Sequence, residues 1–344
     1  MGVTEIPASI LGAYGLRAED FKVEALTAGH IHRTLKLTGA ACFVLQRVNK
    51  NVFKHPEVIG ANVRAAADHL AEHFPDYSFM STIRSTAGND LVYDDAGHPW
   101  RLFPYIDHTL TVNAVSTARQ AFRAAAAFGG LTRRLRGVDM RQFNPTIERF
   151  HDLSLRYRQF ESALANADDN RRAQAIREIE QAERFRHLVA RYEATITNLP
   201  LRVTHNDTKI NNVLFHAHTG ESVCVIDLDT LMPGYFIYDL GDMVRTFVSP
   251  VDEEEKDFER IAFRQEIYDA LMEGYRSEMG DDLNAAEKQA VHFSGLMMTY
   301  IMGLRMLADF LNGDVYYHTT YPAQNLVRAG NQLRLLEVLA DKIG

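Results

Sequence analysis

The sequence predicts an α+β chain of two lobes, a small β-rich lobe over residues 1–105 and a large helical lobe over residues 106–344. Three observations carry that expectation. Short runs of alternating apolar and polar residues, separated by turn residues, fill the first lobe, which is the period-2 signature of strands. From Asn113 onward the apolar residues recur at helical spacing. Between the helical stretches lie two adjacent apolar runs, VTHNDTKINNVLF and VCVIDLDT, which carry clustered Asp and Asn side chains.

The elements follow in order. FKVEAL and TLKL read as strands on either side of Thr27-Ala28-Gly29-His30. Thr38-Gly39 is a turn, and ACFVLQRV is a third strand. HPEVIGANVRAAADHLAEHF reads as a helix with Val58, Val63, Ala66 and Leu70 on one side. DLVYDD and WRLFPYI pair around Ala96-Gly97-His98-Pro99, and the lobe boundary falls near Tyr105-Ile106-Asp107. VSTARQAFRAAAAFGGLTRRL, PTIERFHDLSLRYRQFESAL and NRRAQAIREIEQAERFRHLVARYEATI read as helices, the last with a solvated charged face. YDLGDMVRTF, DEEEKDFERIAFRQEIYDALMEGYRSEM, NAAEKQAVHFSGLMMTYIMGLRMLADFL and AQNLVRAGNQLRLLEVLADKI complete the helical set.

Composition narrows the function. Lys plus Arg number 37 against 45 Asp plus Glu, so the net charge of -8 argues against nucleic acid as the partner. No run of 18 apolar residues and no basic-then-apolar leader occurs, so neither a membrane span nor a signal peptide is expected, which points to the cytoplasm. Cys42 and Cys224 each sit in a strand-like run and read as buried, unpaired thiols.

The chemistry concentrates in the two apolar runs. Asp207, in a loop after a strand, can accept the proton of a substrate hydroxyl. Asn212, five residues on, and Asp227, at a later strand end, offer oxygen ligands suited to Mg²⁺ on nucleotide phosphates. His205 orients the loop. Lys209 can neutralise a transferring phosphoryl group or face solvent. Asp229, two residues after Asp227, would share its face on a strand and bind a second Mg²⁺ or a substrate hydroxyl. Asp239-Leu240-Gly241 mimics a metal-binding D-F-G but lies at a helix start, so Asp239 reads as a cap or ion-pair partner. Asp242 and Arg245 read as a helix-surface or interlobe pair.

In the first lobe Ala28-Gly29-His30-Ile31-His32 takes the place of a phosphate loop. The usual strand-three Lys is absent. Gln46 and Arg47 stand there instead, facing opposite ways, and Arg47 can hold the α- and β-phosphates. Glu57 reads as an exposed helix-start residue or a partner of Arg47. Tyr105 and Ile106 would frame the adenine. His216-Ala217-His218 reads as solvated. These readings imply an ATP- and Mg²⁺-dependent enzyme, with a non-catalytic nucleotide-binding module opposed by the intact Asp207, Asn212 and Asp227.

The pattern H-x-D-x-x-x-x-N followed by I-D-x-D resembles the aminoglycoside phosphotransferase and choline kinase superfamily, whose fold is bilobal and protein-kinase-like. HNDTKINNVLF, VCVIDLDTLMPG, YDLGDMVR, AGHIHRT, FVLQRVNKNVFKHPEV, GLRMLADFLNGDVYY and NLVRAGNQL resemble one branch of it, the N-acetylhexosamine 1-kinases. That resemblance implies phosphorylation of the anomeric hydroxyl of an N-acetylhexosamine, with Asp207 as base. It implies that His30, Arg305 and Tyr316 contact the sugar. Arg305 sits in an apolar helix, where an unpaired cation is costly, so a carboxylate or a ligand should meet it. The alternative is a related kinase of another sugar, an amino alcohol or an aminoglycoside.

Overall fold

The computed structural model of the protein describes residues 5–26 and 32–344. In chain order it contains α1 (Ala8–Ala13), β1 (Lys22–Leu26), β2 (Arg33–Thr38), β3 (Cys42–Arg47), α2 (Pro56–His73), β4 (Val92–Tyr93), β5 (Pro99–Pro104) and β6 (Thr109–Leu110). There follow α3 (Ala118–Arg134), α4 (Leu153–Asn166), α5 (Asp169–Gln174), α6 (Ile176–Arg184), α7 (His187–Ile196) and β7 (Arg202–Thr204). The remainder comprises β8 (Val213–His216), β9 (Ser222–Val225), β10 (Met232–Gly234), α8 (Phe236–Phe247), α9 (Gln265–Met279), α10 (Ala285–Leu311) and α11 (Gln324–Ile343). None of the helices is long and apolar enough to cross a membrane among the described residues. The chain divides into two compact units. One comprises Met1–Leu110, Gly137–Glu148 and Leu214–Met232, the other Thr111–Arg136, Arg149–Val213 and Pro233–Gly344.

The first unit is built on a five-stranded sheet of order β1-β2-β3-β5-β4, with antiparallel pairing throughout. Leu35, Leu37, Leu45, Trp100 and Leu102 on one sheet face pack with Ile10 and Leu11 of α1 into a closed core. Alternation sends Thr34, Gln46 and Arg101 to the other face, where they are register partners across β2, β3 and β5. Helix α2 begins with Pro56 at its first turn, where a missing N–H costs nothing. Its buried stripe runs through Ile59, Val63, Ala66 and Leu70, so Ile59 rather than the expected Val58 leads it. The buried Asn62 amide donates to Asn144 O (2.7 Å) and Leu231 O (2.9 Å), tying two later segments to α2.

The second unit is helical and centres on α10, buried nearly all round, as an apolar 27-residue helix requires. Its start is a capping box: Asn284 Oδ1 accepts from Glu287 N, and Glu287 accepts from Asn284 N (both 2.9 Å). Helices α8 and α10 approach at Gly241, where a Cβ would stand 2.3 Å from Ser294 O. Gly241 therefore serves helix packing, which explains why the D-F-G look-alike sits here.

Two helical readings break where side chains take up backbone groups or the backbone turns back on itself. The stretch over 169–196 is three helices. The Ala182 carbonyl accepts from Tyr300 Oη (2.6 Å), and Arg186 N turns back to Glu183 O (3.1 Å) where α6 ends. Residues 252–264 form turns and a single 3₁₀ turn (Phe258–Arg260), with Asp252 and Asp257 side chains accepting from the N–H two residues on, a competitor of helix. Likewise α4 starts late, at Leu153, because Asp152 caps it by accepting from Leu155 N (2.8 Å).

Candidate active site

In the second unit, β7 delivers His205-Asn206-Asp207 into a loop whose backbone is held from several sides. Asn206 has φ 65°, a left-handed conformation that Asn tolerates better than most residues. The fully buried Asp239 carboxylate accepts from His205 N (3.0 Å) and Asn206 N (2.7 Å). Burial pushes its pKa up to about 6, despite those two amides. Asp239 is thus a cap, but for this loop rather than for its own helix. Thr208 N donates to Asp242 Oδ2 (2.9 Å), and Thr208 Oγ1 to Asp239 O (2.7 Å). Gly234 lies so close that a Cβ would be 2.3 Å from Thr204 Oγ1.

Within this frame Asp207 Oδ1 is 3.3 Å from Lys209 Nζ. Burial raises the Asp207 pKa, but the charge and hydrogen bond of Lys209 outweigh it and hold the carboxyl below the usual range. It is therefore ionised and able to accept a proton. The two side chains are 30 % and 43 % exposed, so solvent screens the pair and it adds little stability. Asn212 Nδ2 donates to Asp207 O (2.8 Å) and Oδ2 (3.2 Å). That turns the amide nitrogen into the loop and leaves the carbonyl oxygen, the kind of donor a hard cation takes, outside these two bonds.

Asp242 and Arg245 are a buried pair, which corrects the helix-surface reading. Arg245 Nη2 meets Asp242 Oδ1 at 2.8 Å and Arg245 Nη1 meets Glu253 Oε2 at 3.0 Å, with the arginine side chain 2 % exposed. The i, i+3 spacing was visible, but its burial depends on α11, from which Gln332 approaches Arg245 (3.4 Å). Replacing Arg245 with Met should lower stability by ~3–5 kcal/mol, because Asp242 stays buried and unpaired. Urea unfolding measures it, and an unchanged midpoint would refute the structural role.

Arg305 projects from α10 into an aromatic frame of Phe150 (5.1 Å), Tyr317 (5.6 Å) and Tyr316 (5.9 Å). No carboxylate lies within ion-pair distance of it among the described residues; its one side-chain bond is to Met302 Sδ (3.6 Å). Asp309, one turn on, accepts from Val315 N (3.0 Å), Tyr316 N (2.8 Å) and Tyr317 N (2.9 Å), which holds the tyrosine loop against α10. The Tyr317 hydroxyl is buried without a partner among the described residues. Arg156 lies near enough that burial and the Arg305 charge push its pKa down to about 10. Phe150 of this frame packs against His151 (4.2 Å), whose Nε2 meets Asn206 O (2.8 Å), so the aromatic frame adjoins the loop that carries Asp207.

In the first unit, β9 ends at Val225, Asp227 takes φ 59°, ψ 58°, and Leu228–Thr230 is a 3₁₀ turn. The strand alternation expected to align Asp227 with Asp229 therefore does not apply. Asp227 is exposed. Asp229 is buried, with Oδ1 2.6 Å from Arg101 Nη1 and Oδ2 2.5 Å from His32 Nε2. Burial raises its pKa, but Arg101 and His32 hold the carboxyl far below the usual range. Gln46 Oε1 accepts from Arg101 Nε (3.0 Å) and Nη2 (2.8 Å), and Gln46 Nε2 donates to Thr34 Oγ1 (3.1 Å). Arg47 lies on the opposite sheet face over Trp100 (6.0 Å) beside Arg33, so the cation facing Asp229 is Arg101. Glu57 is exposed beside His55. Lys36 Nζ sits over the Tyr105 ring (3.8 Å), and Ile106 O accepts from Thr109 Oγ1 (2.7 Å). His30, with the rest of its loop up to Ile31, lies outside the described residues.

Sequence reasoning missed Asp239's bonds to the loop, Arg101 and His151. A lone Arg in the apolar strand WRLFPYI was a usable signal for Arg101; nothing in PTIERFHDLS singled out His151.

The model of the family described as "Phosphotransferase enzyme family" (APH) matches residues 22–276. The chain belongs to that family. It is an enzyme, a phosphotransferase. Among solved structures this phosphotransferase is similar to a microcompartment-associated aminopropanol kinase, with 16% identity and a TM-score of 0.64 over 98% of this chain and 97% of that one. It is similar to an aminoglycoside phosphotransferase from Alicyclobacillus acidocaldarius, with 14% identity and a TM-score of 0.62 over 100% and 98%. An amicoumacin kinase in complex with AMP-PNP and Ca²⁺ matches with 14% identity and a TM-score of 0.58 over 95% and 89%. At these identities the likeness establishes the fold: a β-sheet amino-terminal part and a helical carboxy-terminal part of the kinase-like kind.

Proposed function

We propose that this phosphotransferase uses ATP and Mg²⁺ to phosphorylate the anomeric hydroxyl of an N-acetylhexosamine. Asp207 is the base in this reading, held ionised by Lys209. Asn212 and Asp227 hold Mg²⁺, which when bound neutralises charge on the nucleotide phosphates. Residues 1–105 form the nucleotide-binding lobe, with Tyr105 and Ile106 at the adenine, and residues 106–344 the catalytic lobe. Arg47 is withdrawn from the phosphates because it faces Trp100. Asp229, His30, Arg305 and Tyr316 belong to the acceptor.

The observation that carries the acceptor class is Arg305: a guanidinium without a carboxylate, framed by three aromatic rings, beside a second arginine and the base loop. Such a group attracts a carbonyl or hydroxyl oxygen, and aromatic rings beside it suit the face of a sugar. It repels the ammonium groups of amino alcohols and aminoglycosides, so it favours a neutral acceptor despite relatives named for aminopropanol and aminoglycosides.

A panel of acceptors, assayed for ATP consumption, is the direct test. N-acetylglucosamine or N-acetylgalactosamine should turn over, and phosphorus NMR should show an ester coupled to one anomeric proton. Arg305→Ala should raise the sugar KM about 10- to 100-fold, the equivalent of ~1.5–3 kcal/mol for a hydrogen bond to a charged group, and leave the ATP KM unchanged. A 6-phosphate product, or turnover of choline or an aminoglycoside but of no hexosamine, would overturn the acceptor assignment.

A further inference from the structure

His151 has no place in the reading above, yet it touches the loop that carries Asp207. It lies just before α4, and its Nε2 donates to Asn206 O at 2.8 Å. The N–H at the other edge of the same peptide, that of Asp207, donates to His205 Nδ1 at 3.2 Å. We infer that His151 is a positioning residue for phosphoryl transfer: with His205 it grips opposite edges of the Asn206–Asp207 peptide and so sets the direction of the Asp207 carboxylate.

The inference rests on Asp207 being the base. Asn206 is left-handed, and rotation of the peptide that follows it would reverse both bonds and re-aim Asp207. The N–H of Asn206 is held independently by Asp239, so His151 is the group that fixes its carbonyl. The His151 ring cannot turn away. It is 5 % exposed and packs against Phe150 (4.2 Å) and Tyr238 (5.3 Å). Its own backbone is pinned, because Arg156 donates to Phe150 O (2.7 Å) beside Arg149, another left-handed residue (φ 51°).

The second ring nitrogen supports the assignment. His151 Nδ1 is buried without a partner among the described residues. A buried, unsatisfied acceptor costs stability, and an apolar ring would fill the same space without that cost. What the imidazole adds is the Nε2–H. Burial, with Arg305 and Arg156 nearby, pushes its pKa down to about 3, so the ring is neutral and donates from one nitrogen only.

The experiment compares His151→Gln, His151→Asn and His151→Phe with wild type, using ATP and N-acetylglucosamine or N-acetylgalactosamine. A glutamine amide reaches the place of Nε2; an asparagine amide reaches only that of Nδ1. The Asn and Phe variants should lose about 10²-fold in kcat, the usual effect of a misplaced group, with both KM values unchanged. The Gln variant should recover most of that loss. Wild-type kcat in Asn and Phe, or equal losses in Gln and Asn, would overturn the inference. Should Phe fail to fold by thermal unfolding, the Gln–Asn pair still decides. Asp207→Asn is measured in parallel. If it stays active, the base reading has fallen; if it is inactive while His151→Asn matches wild type, only this inference has.

Discussion

Asp207→Asn should lower turnover by ~10³ or more and leave the fold intact. The fold survives because the loop is held mainly by other groups. Asp239 binds the amides of His205 and Asn206, Asp242 binds that of Thr208, and His151 binds the Asn206 carbonyl. The pair lost with Lys209 is substantially exposed and screened. The rate collapses because an amide neither accepts the hydroxyl proton nor carries the charge that orients it, and phosphoryl transfer depends on such positioning. Saturating turnover with a matched thermal unfolding curve is the measurement. A folded variant with most of the wild-type rate would mean that Asp207 is not the base.

The β-to-helix division of the chain was legible because period-2 and helical spacing survive in any context. So was the pairing of Asp207 with Asn212 five residues on, whose side chains meet at 3.2 Å. What the sequence hid are effects of distant partners. The offset between Asp227 and Asp229 suggested a shared strand face, but the strand stops before Asp227 and the backbone turns left-handed. Arg47 looked like the phosphate cation because it follows an apolar run. One position of strand register instead turns it to Trp100, while Arg101, 54 residues later, faces Asp229. Asp242 and Arg245 looked like a surface pair because nothing local announces that a later helix covers them. Helix ends over 169–196 and 252–264 failed for two different reasons: a tyrosine from distant α10 takes one carbonyl, and Asp side chains take amides two residues on.

Loss of the Asp227 carboxylate should abolish activity, and loss of the Asn212 amide should reduce it less. A carboxylate gives Mg²⁺ a full charge, whereas an amide carbonyl gives a dipole. The backbone at Asp227 governs the choice of variant. At φ 59° an alanine costs about 1–2 kcal/mol, whereas asparagine is at ease there. Asp227→Asn therefore removes the charge without straining the turn, and its defect can be read as a metal defect. Asn212→Ala has its own confound, since the amide nitrogen bonds the Asp207 carbonyl at 2.8 Å. Part of its loss should then appear in kcat at saturating Mg²⁺, through a loosened base loop. Calorimetric titration with Mg·ADP, and rates across a Mg²⁺ series, separate the two effects. Asp227→Asn should bind Mg·ADP far more weakly and stay inactive at every Mg²⁺ concentration. Asn212→Ala should need more Mg²⁺ and recover only part of the wild-type rate. Unchanged Mg·ADP affinity and activity in both variants would remove the metal from these residues.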